Sequence, residues 1–244
     1  MNIHIAKNAR DLGASAATQI ASLLREAIEE KGAARLLLST GASQFETISC
    51  LVKEDVDWPK VEMFHLDEYA GLSGTHKASF RKYLKNRFTS KVNLKAAWFV
   101  NGEGDAGANI AMLTKEFSKA PVDVGVIGIG ENGHIAFNDP PADFNTKKTY
   151  IVVTLDKKCK QQQVREGWFE TLADVPPRAI TMTPYAILKC RHIISCVPHA
   201  VKAEAVFNTL TRKVSVNIPA SILKTHRDWN LYLDAESASR VFPV

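Results

Sequence analysis

The run Val122-Asp123-Val124-Gly125-Val126-Ile127 passes directly into Gly128-Ile129-Gly130-Glu131-Asn132-Gly133-His134-Ile135-Ala136-Phe137-Asn138-Asp139-Pro140-Pro141. The apolar run reads as a buried strand, so the glycines, the histidine and the carboxylates stand just past its C-terminal end. In open α/β sheets that is where ligands bind. Glycines let backbone approach a ligand closely, and an imidazole exchanges protons near neutral pH. Taken alone, the same residues serve a tight strand-to-loop turn with a solvated histidine equally well.

The rest of the chain repeats the pattern. A helix over about 11–30, with Leu12, Ile20, Leu23, Leu24 and Ile28 on one stripe and a stop at Gly32, precedes strand Ala34 to Leu38. Ser39-Thr40-Gly41-Ala42-Ser43 then leads into a helix from about Phe45 to Glu54. Strand Val61 to Leu66 runs into Asp67-Glu68-Tyr69. Further strands are expected at Tyr150 to Val153, Ile193 to Val197 and Leu231 to Leu233, with helices near Ala200 to Asn208 and Ser221 to His226. Apolar runs alternating with helical patterns predict a doubly wound, Rossmann-like α/β fold: a mostly parallel sheet with helices on both faces. No linker composition divides the 244 residues, so one domain over 1–244 is expected.

Composition narrows the class. The chain is 45% apolar and 23% charged, which excludes disordered and fibrous types. It has no run of eighteen apolar residues and no signal-peptide pattern, so a cytoplasmic protein without a membrane partner is expected. Cys50, Cys159, Cys190 and Cys196 lack metal-ligand spacing, and reduced, mostly buried thiols are expected, with no metal site. The net charge of +5 is densest from His76 to Lys95, which has no acidic residue. Phe80, Leu84 and Phe88 recur there at helical spacing, so the basic residues read as the wet face of a helix rather than as a nucleic-acid surface.

Three polar clusters thus end three strands, and a parallel sheet brings them to one edge. Ser39 to Ser43 offer hydroxyls and backbone N–H groups at a helix start, a cradle suited to phosphate, although ordinary capping needs the same residues. It is neither a Walker loop nor a dinucleotide fingerprint. Asp67 and Glu68, adjacent on an extended chain, point to opposite sides, so one faces the crevice as a candidate general base and the other holds structure. Asp139 either reaches back to His134 or forms an Asx-turn before the prolines. Lys202 opens a helix at the same edge.

Phe64-His65-Leu66-Asp67-Glu68-Tyr69 and Gly128 through Pro140 together resemble the glucosamine-6-phosphate deaminase (isomerase) family, which shares its fold with the 6-phosphogluconolactonases. The resemblance extends to Ser39–Ser43, Ala179-Ile180-Thr181-Met182, Lys202-Ala203-Glu204-Ala205 and Ile218-Pro219-Ala220-Ser221. It implies isomerisation and deamination of glucosamine 6-phosphate to fructose 6-phosphate and ammonia, without a cofactor. Asp67 is implied as the base moving a proton from C2 to C1, and His134 as the ring-opening group, oriented by Asn132 and Asp139. Ser39, Thr40, Gly41, Ala42, Ser43 and Lys202 are implied as the phosphate holders. A small amino-sugar phosphate is the implied partner, and a homo-oligomer is compatible with the family. Some positions depart from the common pattern: Asn132 for Asp, Asp139 for Glu, Ala42-Ser43 for Gly-Thr, and Pro198-His199 before Lys202. The one-methylene loss at Asp139 requires the loop to come closer or a water to intervene. The phosphate-gripping arginine has no clear counterpart, leaving Lys160 and Arg165 as candidates. Galactosamine 6-phosphate deamination, lactone hydrolysis and sugar-phosphate sensing without turnover are the alternatives.

Overall fold

The computed structural model describes residues 1–242. A seven-stranded sheet, all of its pairings parallel, forms the centre, with strands β1 (Asn2–Ala6), β2 (Ala34–Leu38), β3 (Val61–His65), β5 (Ala96–Trp98), β6 (Val124–Val126), β9 (His192–Val197) and β10 (Trp229–Asp234) in the order β1-β10-β9-β6-β2-β3-β5. Strand order reverses between β2 and β6, whose C-terminal ends carry the Ser39 and Gly128 loops. The edge strand β1 pairs with β10 in the register Asn2↔Asn230.

Helices cover both faces. On one face α1 (Ala9–Lys31) buries Leu12, Ala16, Ala17, Ile20, Ala21 and Leu24 against Leu36, Leu38, Met63 and Val124. Its N-cap is Asn8, whose side chain accepts the Asp11 N–H, and it stops at Gly32, which takes φ 77°. It lies against α2 (Phe45–Leu51) so tightly that a Cβ on Gly13 would stand 2.7 Å from the backbone of Glu46. The other face is covered by α4 (Ala106–Phe117), α6 (Pro184–Ile187) and α7 (Ala203–Thr211), which place Leu113, Phe117, Ile187 and Val206 against Leu37, Phe64, Ile193 and Leu231. The alternation of β2 and β3 side chains between these two cores is the period of two expected of strands buried on both sides.

A second sheet lies outside the expected pattern. Asp67–Tyr69 is itself a strand, β4, in an antiparallel trio with β8 (Arg178–Met182) and β7 (Tyr150–Thr154), in the order β4-β8-β7. Tyr150–Thr154 therefore belongs to this trio rather than to the parallel sheet. The helix expected at Ser221–His226 is a 3-10 segment, Pro219–Thr225, and the start of the Ala200 helix is a 3-10 turn, Ala200–Lys202.

The basic stretch also departs from the expected wet face at one position. Lys77, Lys85, Arg87, Lys91 and Lys95 are exposed, but Arg81, on α3 (Phe80–Leu84), is buried. Its guanidinium donates to Glu68 Oε2 at 3.4 Å, to the Leu72 carbonyl at 2.9 Å and to Glu103 at 3.0 Å. Glu68, fully buried, accepts in addition the N–H groups of Tyr69, Phe80 and Arg81 and the Ser79 hydroxyl. Burial raises the Glu68 carboxyl above its usual range, with those donors working against the rise. Glu68 is thus the structural member of the carboxylate pair, tying β4 to the start of α3. Glu68→Ala leaves four donors and the Nε–H of a buried guanidinium without their acceptor, and a stability loss of about 3–5 kcal/mol is expected, read as a lowered urea midpoint.

Candidate active site

The C-terminal ends of β2, β3, β6 and β9 converge on a crevice of about 250 Å³, sized for a small metabolite. Ser39, Thr40, Gly41, Ala42, Ser43, Asp67, His134 and Lys202 all line it. Asn132 and Asp139 do not; they stand behind the imidazole.

Asp67 enters the crevice because it follows β3 with the opposite orientation to Glu68. It is 5% exposed, and burial, with the neighbouring Glu68 charge adding to it, holds its carboxyl well above the usual range. A hydrogen bond from the Phe137 N–H acts in the other direction. An acid with a raised pKa is a strong base once ionised, which suits proton abstraction from carbon.

The imidazole of His134 is fixed by a relay. Asp139 Oδ1 accepts from Asn132 Nδ2 at 3.1 Å, which orients the Asn132 amide so that its oxygen faces His134. That oxygen accepts the His134 backbone N–H at 3.1 Å and lies 2.6 Å from Nδ1. An amide oxygen only accepts, so Nδ1 carries the proton and Nε2 keeps a lone pair. Asp139 Oδ1 is also 3.3 Å from Nδ1, so the shorter aspartate reaches the ring directly. The approach is closed from behind by α5 (Lys157–Arg165): the Asp156 N–H donates to Asp139 Oδ2 at 3.3 Å, and the Cys159 thiol bonds the same carboxylate. Burial alone would raise the Asp139 carboxyl, but His134, Asn132 and the Asp156 N–H more than offset it and hold it below the usual range. The ring lies flat against Gly130, where a Cβ would fall 2.2–2.4 Å from three of its atoms.

At the other end of the crevice, Gly41 takes φ 100° and its carbonyl accepts the Tyr83 hydroxyl at 3.0 Å. Gln44 donates to Ser43 Oγ at 2.9 Å and to the Cys196 carbonyl at 3.1 Å, fixing the loop against β9. Ser39 Oγ is buried and unpartnered among the described residues. Lys202 is 6% exposed, and no carboxylate among the described residues lies within ion-pair distance of it. Burial lowers its pKa; Glu166 and Glu131 act against this and Arg165 with it. A buried ammonium facing a crevice without a counter-ion gains most from a negative charge placed there. Lys202 hangs on a strained turn. His199 is held at φ 80°, ψ 145°, a conformation that costs a non-glycine residue about 1–3 kcal/mol.

Helix α5 and its C-cap Glu166 supply what the sequence left unread: Gln162, Gln163 and Glu166 line the crevice beside Arg165. The Gln163 amide oxygen accepts the Tyr69 hydroxyl at 2.6 Å, and Arg165 pairs with Glu131 across the mouth. Of the two cations considered for the anion, Arg165 borders the crevice and Lys160 does not. The four cysteines are free, three of them buried. His134, Asp139 and Cys159 have donor atoms within 4.8 Å of one another, but the relay already uses them.

A buried carboxyl, a tautomer-fixed imidazole and a buried ammonium thus line one crevice. Residues 7–232 match the model of the family described as glucosamine-6-phosphate isomerases/6-phosphogluconolactonase. The chain belongs to this family. It is 36% identical over 203 residues to a glucosamine-6-phosphate deaminase of Listeria welshimeri, covering 83% of this chain and 85% of that protein. It is 34% identical over 218 residues to one of Streptococcus pneumoniae (serotype 4), covering 88% and 92%. A solved monomeric glucosamine-6-phosphate deaminase superposes with a TM-score of 0.90 at 31% identity, covering 98% of this chain and 100% of that one. A putative 6-phosphogluconolactonase of Neisseria gonorrhoeae shares the fold, with a TM-score of 0.75 at 22% identity over 96% of this chain and 99% of that one. No helix of the described residues is long and apolar enough to cross a membrane.

Two outcomes test this geometry without any substrate. The raised Asp67 pKa means that ionising it opposes folding, a cost absent below the unfolded-state pKa that grows as pH rises toward the folded one. Asp67→Asn should therefore stabilise the fold at neutral pH, by on the order of 1 kcal/mol or roughly 2–4 °C in Tm, with the gain vanishing in acid. Gly130→Ala should displace the imidazole, seen as a changed His134 ring signal by NMR in a protein that still folds cooperatively.

Proposed function

We propose that the protein is a glucosamine-6-phosphate deaminase, acting in the cytoplasm on a free amino-sugar phosphate. The observation that carries this reading is that the Asp67 carboxylate and the His134 imidazole share one crevice with the buried, unpaired Lys202 ammonium.

In this reading the Ser39–Ser43 loop and Lys202 hold the phosphate, which fixes the sugar's orientation relative to the reacting carbons. His134 Nε2, bare in the tautomer set by Asn132, takes the proton of the anomeric hydroxyl as the bond from C1 to the ring oxygen breaks, and the imidazolium returns it to that oxygen. The relay to Asp139 stabilises the cation formed in between. Asp67 then removes the C2 proton while the aldehyde oxygen takes a proton from the C2 ammonium, giving an enolamine, and Asp67 returns its proton to C1. The resulting C2 iminium adds water and expels ammonia, leaving fructose 6-phosphate. One proton moves from C2 to C1, and one water is consumed for each ammonia released. Lactone hydrolysis requires no base at C2 and leaves the placement of Asp67 unused. The relatives at 34–36% identity carry the deaminase name.

The deciding assay incubates purified protein with glucosamine 6-phosphate, measuring ammonia and fructose 6-phosphate, with galactosamine 6-phosphate and 6-phosphogluconolactone alongside. Faster turnover of either alternative reassigns the substrate, and binding without turnover of any makes the protein a sensor. Asp67→Asn should lower kcat by about 10³-fold or more while substrate affinity changes little. Because the Asp67 pKa is raised, the acid limb of the kcat/KM profile should lie above the usual carboxylate range. His134→Gln should slow the closed pyranose far more than an open-chain analogue, and an equal loss on both removes the ring-opening role.

A further inference from the structure

The turn that delivers Lys202 is held by two carboxylates at the start of the last helix. The His199 N–H donates to Asp234 Oδ2 at 2.9 Å, and the following N–H, of Ala200, donates to Glu236 Oε2 at 3.2 Å. The His199 carbonyl in turn accepts the Lys202 N–H at 2.9 Å, so the lysine's backbone hangs on the strained residue. Asp234 ends β10, is 2% exposed, and uses its other oxygen to cap α8 (Ala235–Ala238) through the Ser237 N–H at 2.8 Å.

A non-glycine residue stays at positive φ only where its surroundings over-determine it. Here the over-determining contacts are the two carboxylates at the start of α8, and the buried one makes the shorter bond. Lys202 is unusually sensitive to such support. With no carboxylate within ion-pair distance of Nζ among the described residues, only the longer-range pull of Glu166 and Glu131 acts on the ammonium, and no direct pair holds it if its backbone shifts.

We propose that Asp234 is a positioning residue for anion binding: by holding the His199 N–H, it keeps the turn in the positive-φ conformation that sets the Lys202 ammonium in the crevice. The proposal rests on the reading of Lys202 as the phosphate anchor. When Asp234 is lost, His199 relaxes to ordinary negative φ, the peptide between residues 199 and 200 rotates, and the carbonyl that anchors the Lys202 N–H turns away. Asp67 and His134 stand on other strand ends and are not moved. Binding of the phosphate weakens and the chemistry of bound substrate does not.

The test measures KM and kcat with glucosamine 6-phosphate, and the Kd of inorganic phosphate by calorimetry. The proteins are wild type, Lys202→Ala, Asp234→Ala, His199→Gly and the Asp234→Ala/His199→Gly pair. Asp234→Ala is expected to raise KM and the phosphate Kd about tenfold, equivalent to ~1.4 kcal/mol, with kcat held within about twofold. Glycine takes positive φ without strain, so in the His199→Gly background the same substitution is expected to cost less than about threefold. That rescue separates the turn from the α8 cap, which glycine at 199 does not restore. Unchanged phosphate affinity in Asp234→Ala, or failure of glycine to rescue, overturns the proposal. Unchanged affinity in Lys202→Ala removes the anchor itself and this proposal with it, whereas weakened affinity there beside an unaffected Asp234→Ala removes the proposal alone. Should Asp234→Ala not fold, Asp234→Leu and its His199→Gly pair carry the same comparison.

Discussion

Two carboxylates one residue apart, forced to opposite sides by an extended backbone, organise this molecule. Glu68 turns inward and gathers the N–H groups at the start of α3, the Ser79 hydroxyl and the Arg81 guanidinium. Asp67 turns outward into the crevice. The small antiparallel sheet exists in the same place: β4 both continues from β3 and pairs with β8, so the base stands where the two sheets meet. A rigid seam there gives Asp67 its direction, and the same burial raises its pKa. Position and basicity have a common origin.

The crevice concentrates unfavourable groups. A desolvated carboxyl, a desolvated ammonium, an unpartnered serine hydroxyl and a strained His199 all face it. Each opposes folding in the free protein, and in the proposed function each is offset when a phosphorylated ligand supplies the missing charge or hydrogen bonds. The relay behind His134 follows a different rule, since every group in it is satisfied. The two halves correspond to different tasks. An anion site needs unmet demand, whereas a proton-transfer imidazole needs a fixed tautomer.

What the sequence disclosed followed its periodicity. The strand ends were legible at Leu38, Leu66 and Ile127, the last two one residue beyond the observed ends at His65 and Val126, because continuous apolar runs stop where polar clusters begin, and parallel order alone then gathers Ser39, Asp67 and His134. The antiparallel trio was not, because β4 is three residues of mixed polarity and β8, Arg-Ala-Ile-Thr-Met, is neither a strict alternation nor a continuous apolar run. Arg81 read as solvated because helical spacing places it beside exposed lysines; its partner, Glu68, lies thirteen residues away and becomes a neighbour only through the fold. The polar sequence of α5, Lys-Lys-Cys-Lys-Gln-Gln-Gln-Val-Arg, has no apolar stripe to announce a buried face, yet Gln162 and Gln163 are buried. The shortened Asp139 was recognisable as a departure, but its compensation, the start of α5 closing behind it, is tertiary.

The pairing of β1 with β10 sets a schedule for synthesis. Residues 2 and 230 are hydrogen-bonded neighbours separated by 228 positions of chain, so β1 acquires its partner only after that many further residues have been made. At typical elongation rates that interval is on the order of 10–50 s. Throughout it the backbone N–H and C=O groups of β1 lack their sheet partner, and Ile3 lacks the apolar surface it later covers. In the nascent chain β1 is therefore a waiting edge, open to a chaperone or to a neighbouring ribosome's product, and the sheet closes last on the side farthest from β5.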